Sequence, residues 1–403
     1  ANFMGLEIGL QGLLHAFEQG RAMVWLRRLV VAMIIGLLAT MWFAYKFNGF
    51  SVPESMDQAQ IGRQLATGQG FTTLYARPLA LHLMLVRTGT IASPLPETSQ
   101  APLGPLINAV VLRAGGQSFA PGSDQPIVPA ERAITAVAFL FFAGSLALSY
   151  LLGRWLFDGP LALIGLGLII ASDLIWRFTF SGLPQMAMLF LFTGALLALA
   201  RALEANEARR RSKSVVMILT AALLLGLMTL GHGLGLWIFA GFWLYAVAVI
   251  RPRWLVALAS PVVYVLPLLP WAWHNWRALR NPFGLSFYEL YRQPQSDPLA
   301  LAADFEPILR FQTGDFLINT ATQTVAQAGN LLTYLGGSVV AAAFFFAVFL
   351  HIFERWQAAQ FRWAVLFMWL GAAAGMSVFG VDRAVSVNQL HILFLPVMIF
   401  YGL

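Results

Sequence analysis

The sequence predicts an all-α polytopic membrane protein, and three observations carry that reading. Of 403 residues, 59% are hydrophobic and only 11% charged, with a mean hydropathy of +0.72. A soluble domain is about 45–50% apolar and about 25% charged. The apolar residues fall into about ten runs near the ~20-residue length of a span. The loops between them are short and basic. Zero cysteines exclude disulfides and thiolate metal sites. The net charge of +7 is scattered along those loops, which suits topology determination and anionic headgroups better than nucleic acid.

Residues 1–20 place Phe3, Leu6, Ile8, Leu10, Leu13, Leu14 and Phe17 among Glu7, Gln11 and Glu18. That mixture is too polar to span and predicts an interfacial helix. The chain starts at Ala1 without Met, which fits a processed or incomplete chain, and no cleavable signal peptide is evident. Arg21, Arg27 and Arg28 precede the first apolar run, roughly 29–47, and place the N-terminus in the cytoplasm.

Further spans are predicted at roughly 131–152, 160–176, 184–203, 214–231, 233–250, 254–273, 331–353, 361–380 and 387–403. Alternation from a cytoplasmic start puts Arg201 to Lys213, Arg251-Pro252-Arg253 and Glu354 to Arg362 inside. All three loops carry clustered Arg or Lys, as the positive-inside rule requires. The chain therefore reads as one transmembrane domain over 1–403, with a first outer loop at 48–130 and a second at 274–330. Loops of this length are usually functional.

The first outer loop opens with SVPESMDQAQIGRQLATGQGF, Ser51 to Phe71. Ile61, Leu65 and Ala66 recur at helical spacing behind Asp57, and Gly68-Gln69-Gly70 closes the helix. Asp57 is favoured by the positive end of such a helix, so a capping role competes with a catalytic one. Glu54, three residues earlier, shares a face with it. Residues 57–67 and the apolar piece from Leu103 to Gly116 are too short to span and predict helices along the membrane surface.

Polar residues gather near the predicted outer ends of the spans. Besides Asp57 they include Arg63, Arg77, Arg132, Asp173, Arg177, Gln185, His232, His274, Asn275, Arg277, Arg280, Asp382, Arg383, Asn388 and His391. A carboxylate facing several arginines suits an anionic, lipid-linked substrate: arginine clamps phosphate, and the carboxylate takes a proton. Snorkelling or local ion pairing is the competing role for each arginine, and a buried turn is that for His232. Gly231-x-Gly233-x-Gly235 follows no strand, so a nucleotide-binding reading fails. Walker A, HExxH and GxSxG sequences are absent. His and Asp show no metal-ligand spacing, which leaves only a divalent ion at Asp57 open.

The order of parts resembles the GT-C superfamily of membrane glycosyltransferases, including the protein O-mannosyltransferase and lipid A aminoarabinose transferase families. Asp57 in ESMDQAQIGRQLATGQGF matches the family's catalytic acid. APLGPLINAVVLRAGG, Glu131-Arg132, LPWAWHNWRALRNPFG and VNQLHILFLPVMIFYG are similar to its later elements. The resemblance implies inverting transfer of a sugar from a polyprenyl-phosphate donor on the outer, periplasmic face of the inner membrane. Asp57 would be the general base, and Glu54, Arg63, Arg77, Arg177, Gln185, His232, Arg277, Arg280 and Arg383 would bind substrate. The sequence departs from the family pattern at Gln58, Gln185 and Gly231-His232, where an acid, an acid and Thr-Arg are common. Those departures define the alternative, a non-catalytic GT-C-like scaffold with partner subunits. A transporter is less favoured, since symmetric repeats and midplane charges are missing.

Overall fold

The computed structural model describes residues 21–50, 52–115, 128–291, 311–350, 356–381 and 383–403. The interfacial helix predicted at 1–20, the 292–310 part of the second loop, and Asp382 lie outside the described residues. The chain divides into two compact units, 1–48 and 49–403. In the first, α1 (Arg21–Lys46) exposes Met33, Ile34, Leu37, Leu38 and Met41. Such an apolar surface is compatible with hydrocarbon.

The second unit begins with three short helices, α2 (Pro53–Ala66), α3 (Pro78–Thr88) and α4 (Leu103–Gly115). Pro at the first helical position suits α2 and α3, because that N–H has no intrahelical partner anyway. The bundle follows: α5 (Pro129–Leu156), α6 (Gly159–Ala171), α7 (Asp173–Phe180), α8 (Gln185–Glu207), α9 (Arg211–Thr229) and α10 (Gly235–Val249). Next come α11 (Arg253–Val265) and α12 (Leu269–Leu279), joined by a 3₁₀ turn at Leu266–Leu268. The remainder is α13 (Thr313–Gly329), α14 (Leu331–Tyr334), α15 (Val339–Ala347), α16 (Trp356–Phe379) and α17 (His391–Gly402). Among the described residues the only bridge of extended chain pairs Thr72 with Pro96.

Among the described residues five helical stretches are long and apolar enough to cross a bilayer: α5, α8, α9, Arg253–Leu279 and α16. The α6–α7 pair qualifies as one span bent by 58°. The sequence predicts a single run there, 160–176. The break falls at Ser172, whose extended backbone ends one helix and starts the next. The chain is an integral membrane protein.

α8 and α17 form the centre. Both are apolar on every side, the pattern of a helix enclosed by others, and His391 to Tyr401 of α17 are all buried. Phe192 of α8 meets Phe394 of α17 edge to face, with ring centroids 4.8 Å apart. Outward-facing Leu140, Leu163, Val216, Leu244, Leu258 and Phe346 supply the apolar exterior that lipid tails solvate. α13 is the one long helix among the described residues that no predicted span anticipates. Its composition, TGDFLINTATQTVAQAG, is too polar for the hydropathy signal.

Candidate functional site

Asp57 sits five residues into α2, which starts at Pro53 rather than at the carboxylate. Val52 holds the N-cap position and makes no side-chain cap. The capping role is therefore corrected: Asp57 is too far along the helix to satisfy an orphan N–H. Its side chain instead faces the rest of the loop and is 11% exposed.

The loop reaches Asp57 through a short extended pairing. Thr73 N–H donates to Leu95 O at 2.9 Å, and Glu97 N–H to Phe71 O at 3.1 Å. This brings residues 71–77 alongside 95–98 and carries Arg77 and Glu97 to the α2 face. The far side of the strip is held by the chain after α12. Leu285 N–H donates to Thr98 O at 2.9 Å. Gly284 has φ +63°, and a Cβ there would fall 2.2 Å from Thr98 O, so only glycine fits. His274 Nε2 shares a hydrogen bond with Glu97 O at 2.8 Å, and its ring meets Phe71 edge to face at 5.2 Å.

Arg77 bridges two carboxylates. Its Nη2 lies 2.6 Å from Asp57 Oδ2 and 2.8 Å from Glu97 Oε2, and Nε donates to the same Glu97 oxygen at 3.3 Å. Glu97 is fully buried, and its Oε1 accepts the backbone N–H groups of Ser99 (2.5 Å) and Gln100 (2.9 Å). Burial pulls the Arg77 pKa down, but the charges and hydrogen bonds of Glu97 and Asp57 outweigh it and raise the net value. Gln100 Nε2 donates to Asp57 Oδ2 at 3.1 Å, and Gln60 Nε2 to Oδ1 at 3.2 Å. Asp57 Oδ1 thus carries a single amide bond and keeps a lone pair. That oxygen can accept a proton from an incoming hydroxyl.

Glu54 does not join this cluster. It pairs with Arg383 at 3.3 Å, a half-exposed contact that ties α2 to the chain before α17. Gln185 is buried at the start of α8 and donates to Val387 O (3.1 Å) and Ser386 O (3.4 Å). It ties α8 to the segment that leads into α17. His232 Nδ1 accepts Leu234 N–H at 3.2 Å in the turn between α9 and α10, and burial lowers its pKa to about 4. Arg63, Arg177, Arg277 and Arg280 are exposed and make no described contact with Asp57. Arg277 stacks over Trp273 at 5.0 Å, and Arg280 closes α12 with φ +53°. Of the predicted binding residues, the structure therefore gathers Arg77 at Asp57 and pairs Glu54, on the same helix as Asp57, with Arg383 from the chain before α17.

Glu97, Gln60 and Gln100 are the site residues that sequence reasoning missed. Glu97 is one of two acids between Asp57 and Glu131, and that isolation in a Ser/Pro-rich stretch is the available signal. Among the described residues no three His, Cys, Asp or Glu side chains gather as metal ligands. At Asp57 a guanidinium already holds the carboxylate, which repels a cation, so a divalent ion does not fit this arrangement.

The fold has solved counterparts. A crystal structure of ArnT from Cupriavidus metallidurans in the apo state superposes with a TM-score of 0.57 at 14% identity, over 94% of this chain and 59% of that one. An oligosaccharyltransferase from Archaeoglobus fulgidus, tethered with an acceptor peptide containing the NVT sequon, gives 0.50 at 16% identity, over 88% and 45%. The chain thus spans well under two thirds of either counterpart. No family model and no curated protein sequence matches it. At these identities the likeness carries the architecture alone. Taken with the helix order and the helix-bearing loop after α1, it gives this membrane protein the fold of those two counterparts.

Proposed function

We propose that the chain is a membrane glycosyltransferase that moves a sugar from a polyprenyl-phosphate donor to an acceptor hydroxyl on the outer face of the plasma membrane. The observation that supports this reading is the free lone pair of Asp57 Oδ1 within a carboxylate–arginine cluster. That cluster stands in the large loop of a GT-C fold. In the reaction Asp57 takes the acceptor proton as the acceptor oxygen attacks the anomeric carbon. The carbon–oxygen bond to phosphate breaks, its electrons leave with the polyprenyl phosphate, and the configuration inverts. Arg77 is occupied by two carboxylates, so the departing phosphate falls to exposed cations, Arg383 first, because it already pairs with α2 through Glu54. The distribution of basic loops supports a cluster outside and an N-terminus in the cytoplasm.

A second reading is favoured by the same geometry. The Asp57 carboxylate is held by the Arg77 guanidinium at 2.6 Å, as in a structural ion pair. This suits a non-catalytic scaffold whose outer loop meets partner subunits. Replacing Asp57 by Asn separates the two. Sugar transfer from a polyprenyl-phosphate donor in reconstituted vesicles should fall by about 10²-fold or more, the scale of general-base assistance. Unchanged transfer would discard Asp57 as the base, and no transfer by the wild type with any donor would discard the enzyme reading and leave the scaffold.

A further inference from the structure

A second polar cavity lies in the bundle, apart from the Asp57 cluster. It encloses about 550 Å³, and Leu151, Arg154, Trp155, Arg201, Glu204 and Gln357 line it. α5 and α8 contribute their C-terminal turns and α16 its first turn. Trp155 meets Phe361 edge to face at 5.5 Å, which ties α5 to α16 beside the cavity. The single carboxylate is already engaged. Glu204 Oε1 accepts the Trp155 indole N–H, and Oε2 accepts Arg201 Nη1 at 2.9 Å. Arg201 keeps Nε and Nη2 unspent among the described residues. Arg154 makes only a cation–π contact there, 5.7 Å from the Tyr150 ring. Gln357 Nε2 donates to Glu207 beside the cavity, and the lining itself sets two guanidiniums against one engaged carboxylate, with several unused N–H donors.

We propose that this cavity binds the phosphodiester headgroup of an anionic glycerophospholipid. Guanidinium forks suit phosphate oxygens better than any other basic group. The volume falls within the ~300–1,000 Å³ of small-ligand sites. Leu151 and Ala358 add an apolar edge for the glycerol and first acyl carbons, and Trp155 has the amphipathic ring that settles at headgroup level. Arg209, Arg210, Arg211 and Lys213 follow at the same end of α8, outside the cavity lining. By the basic-loop topology this end faces the cytoplasmic leaflet, so the cavity is independent of the outer-face chemistry proposed above. Free phosphate shares the guanidinium contacts but leaves the apolar edge unused.

The test uses the full chain in neutral detergent, with thermal unfolding followed against added lipid. Phosphatidylglycerol should stabilise the wild type saturably, and phosphatidylcholine should not. Arg154→Gln with Arg201→Gln should need about fivefold or more lipid per arginine lost, from roughly 1 kcal/mol for each basic residue at a membrane surface. Arg210→Gln with Arg211→Gln, of equal charge change, should behave as the wild type. Arg154→Gln alone, at an exposed position, supplies the same comparison if the double variant fails to fold. Equal titrations for the cavity and loop variants would overturn the proposal in favour of diffuse attraction. Full stabilisation by inorganic phosphate at matched concentration would overturn the lipid and leave a soluble-anion site.

Discussion

Arg77 Nη2 stands 2.6 Å from Asp57 Oδ2 while the same nitrogen lies 2.8 Å from fully buried Glu97. One cation therefore serves two anions, and removing it leaves both uncompensated. Arg77→Gln should destabilise by about 2–4 kcal/mol, slightly below the ~3–5 kcal/mol of a fully buried pair because the arginine side chain is 24% exposed. Glu97→Gln should also be costly, since four N–H groups converge on that carboxylate. Glu54→Gln breaks a pair that is 33% and 50% exposed and should cost within about 0.5 kcal/mol. Unfolding midpoints of the three variants in one detergent give the order. If Glu54→Gln proved as harmful as Glu97→Gln, the cluster would not be the anchor of the loop.

The central helices were legible in the sequence because hydropathy is a property of each residue and sums along a run. Asp57 was legible as a polar residue on a short amphipathic helix. Its partners were not, because Arg77 and Glu97 meet through an extended pairing of about three residues a side. Such a pairing has no periodicity to detect, and its register rests on long-range contacts to residues 274–285. Gln185 and His232 illustrate the converse. Both stand at helix ends, where polarity suggests a ligand, and both bond to backbone groups, Gln185 across the bundle and His232 within its own turn.

The packing of α10 on α16 depends on two facing glycines. A Cβ at Gly241 would come 2.2 Å from Phe367 O, and one at Gly371 would come 2.2 Å from Trp237 O. Both obstacles are backbone, which cannot swing away, and close backbone approach through small residues is a recurrent way for membrane helices to associate. Gly241→Ala should destabilise by about 1–3 kcal/mol, the range of overpacking. Gly36→Ala in α1, where nothing lies within 4 Å, is the control and should change the midpoint little. Equal midpoints for the two variants would contradict the contact.

His232 makes stability depend on pH. Burial lowers its pKa from 6.5 to about 4, opposed by a hydrogen bond with the Asn388 side chain that favours the protonated ring. Between these values the unfolded chain binds a proton that the folded chain does not, so acidification favours unfolding. The contribution is intact above about pH 6.5 and is lost as pH falls through about 4. A shift of this direction and size corresponds to at most about 3 kcal/mol. His232→Gln, which retains an acceptor for Leu234 N–H, should flatten the loss over that window. A variant profile parallel to that of the wild type from pH 6.5 to 4 would show that other groups carry the dependence.

The orientation of the whole chain can be tested at two exposed arginines. Arg210 lies between α8 and α9, in the most basic loop, and Arg277 lies on α12 near the strip that holds Glu97. The positive-inside rule puts Arg210 in the cytoplasm. With α10 crossing as the sequence predicts for 233–250, α9, α10 and the Arg253–Leu279 stretch would make three crossings and deliver Arg277 to the outer face. Because the chain has no cysteine, Arg210→Cys and Arg277→Cys each introduce a unique thiol. A membrane-impermeant maleimide applied to intact cells should label Arg277→Cys and spare Arg210→Cys until the membrane is opened. Labelling of Arg210→Cys in intact cells would invert the topology and place the Asp57 cluster, which is tied to α12 through His274, on the cytoplasmic side. An outer-face reaction would then be untenable, whatever the Asp57 variants do.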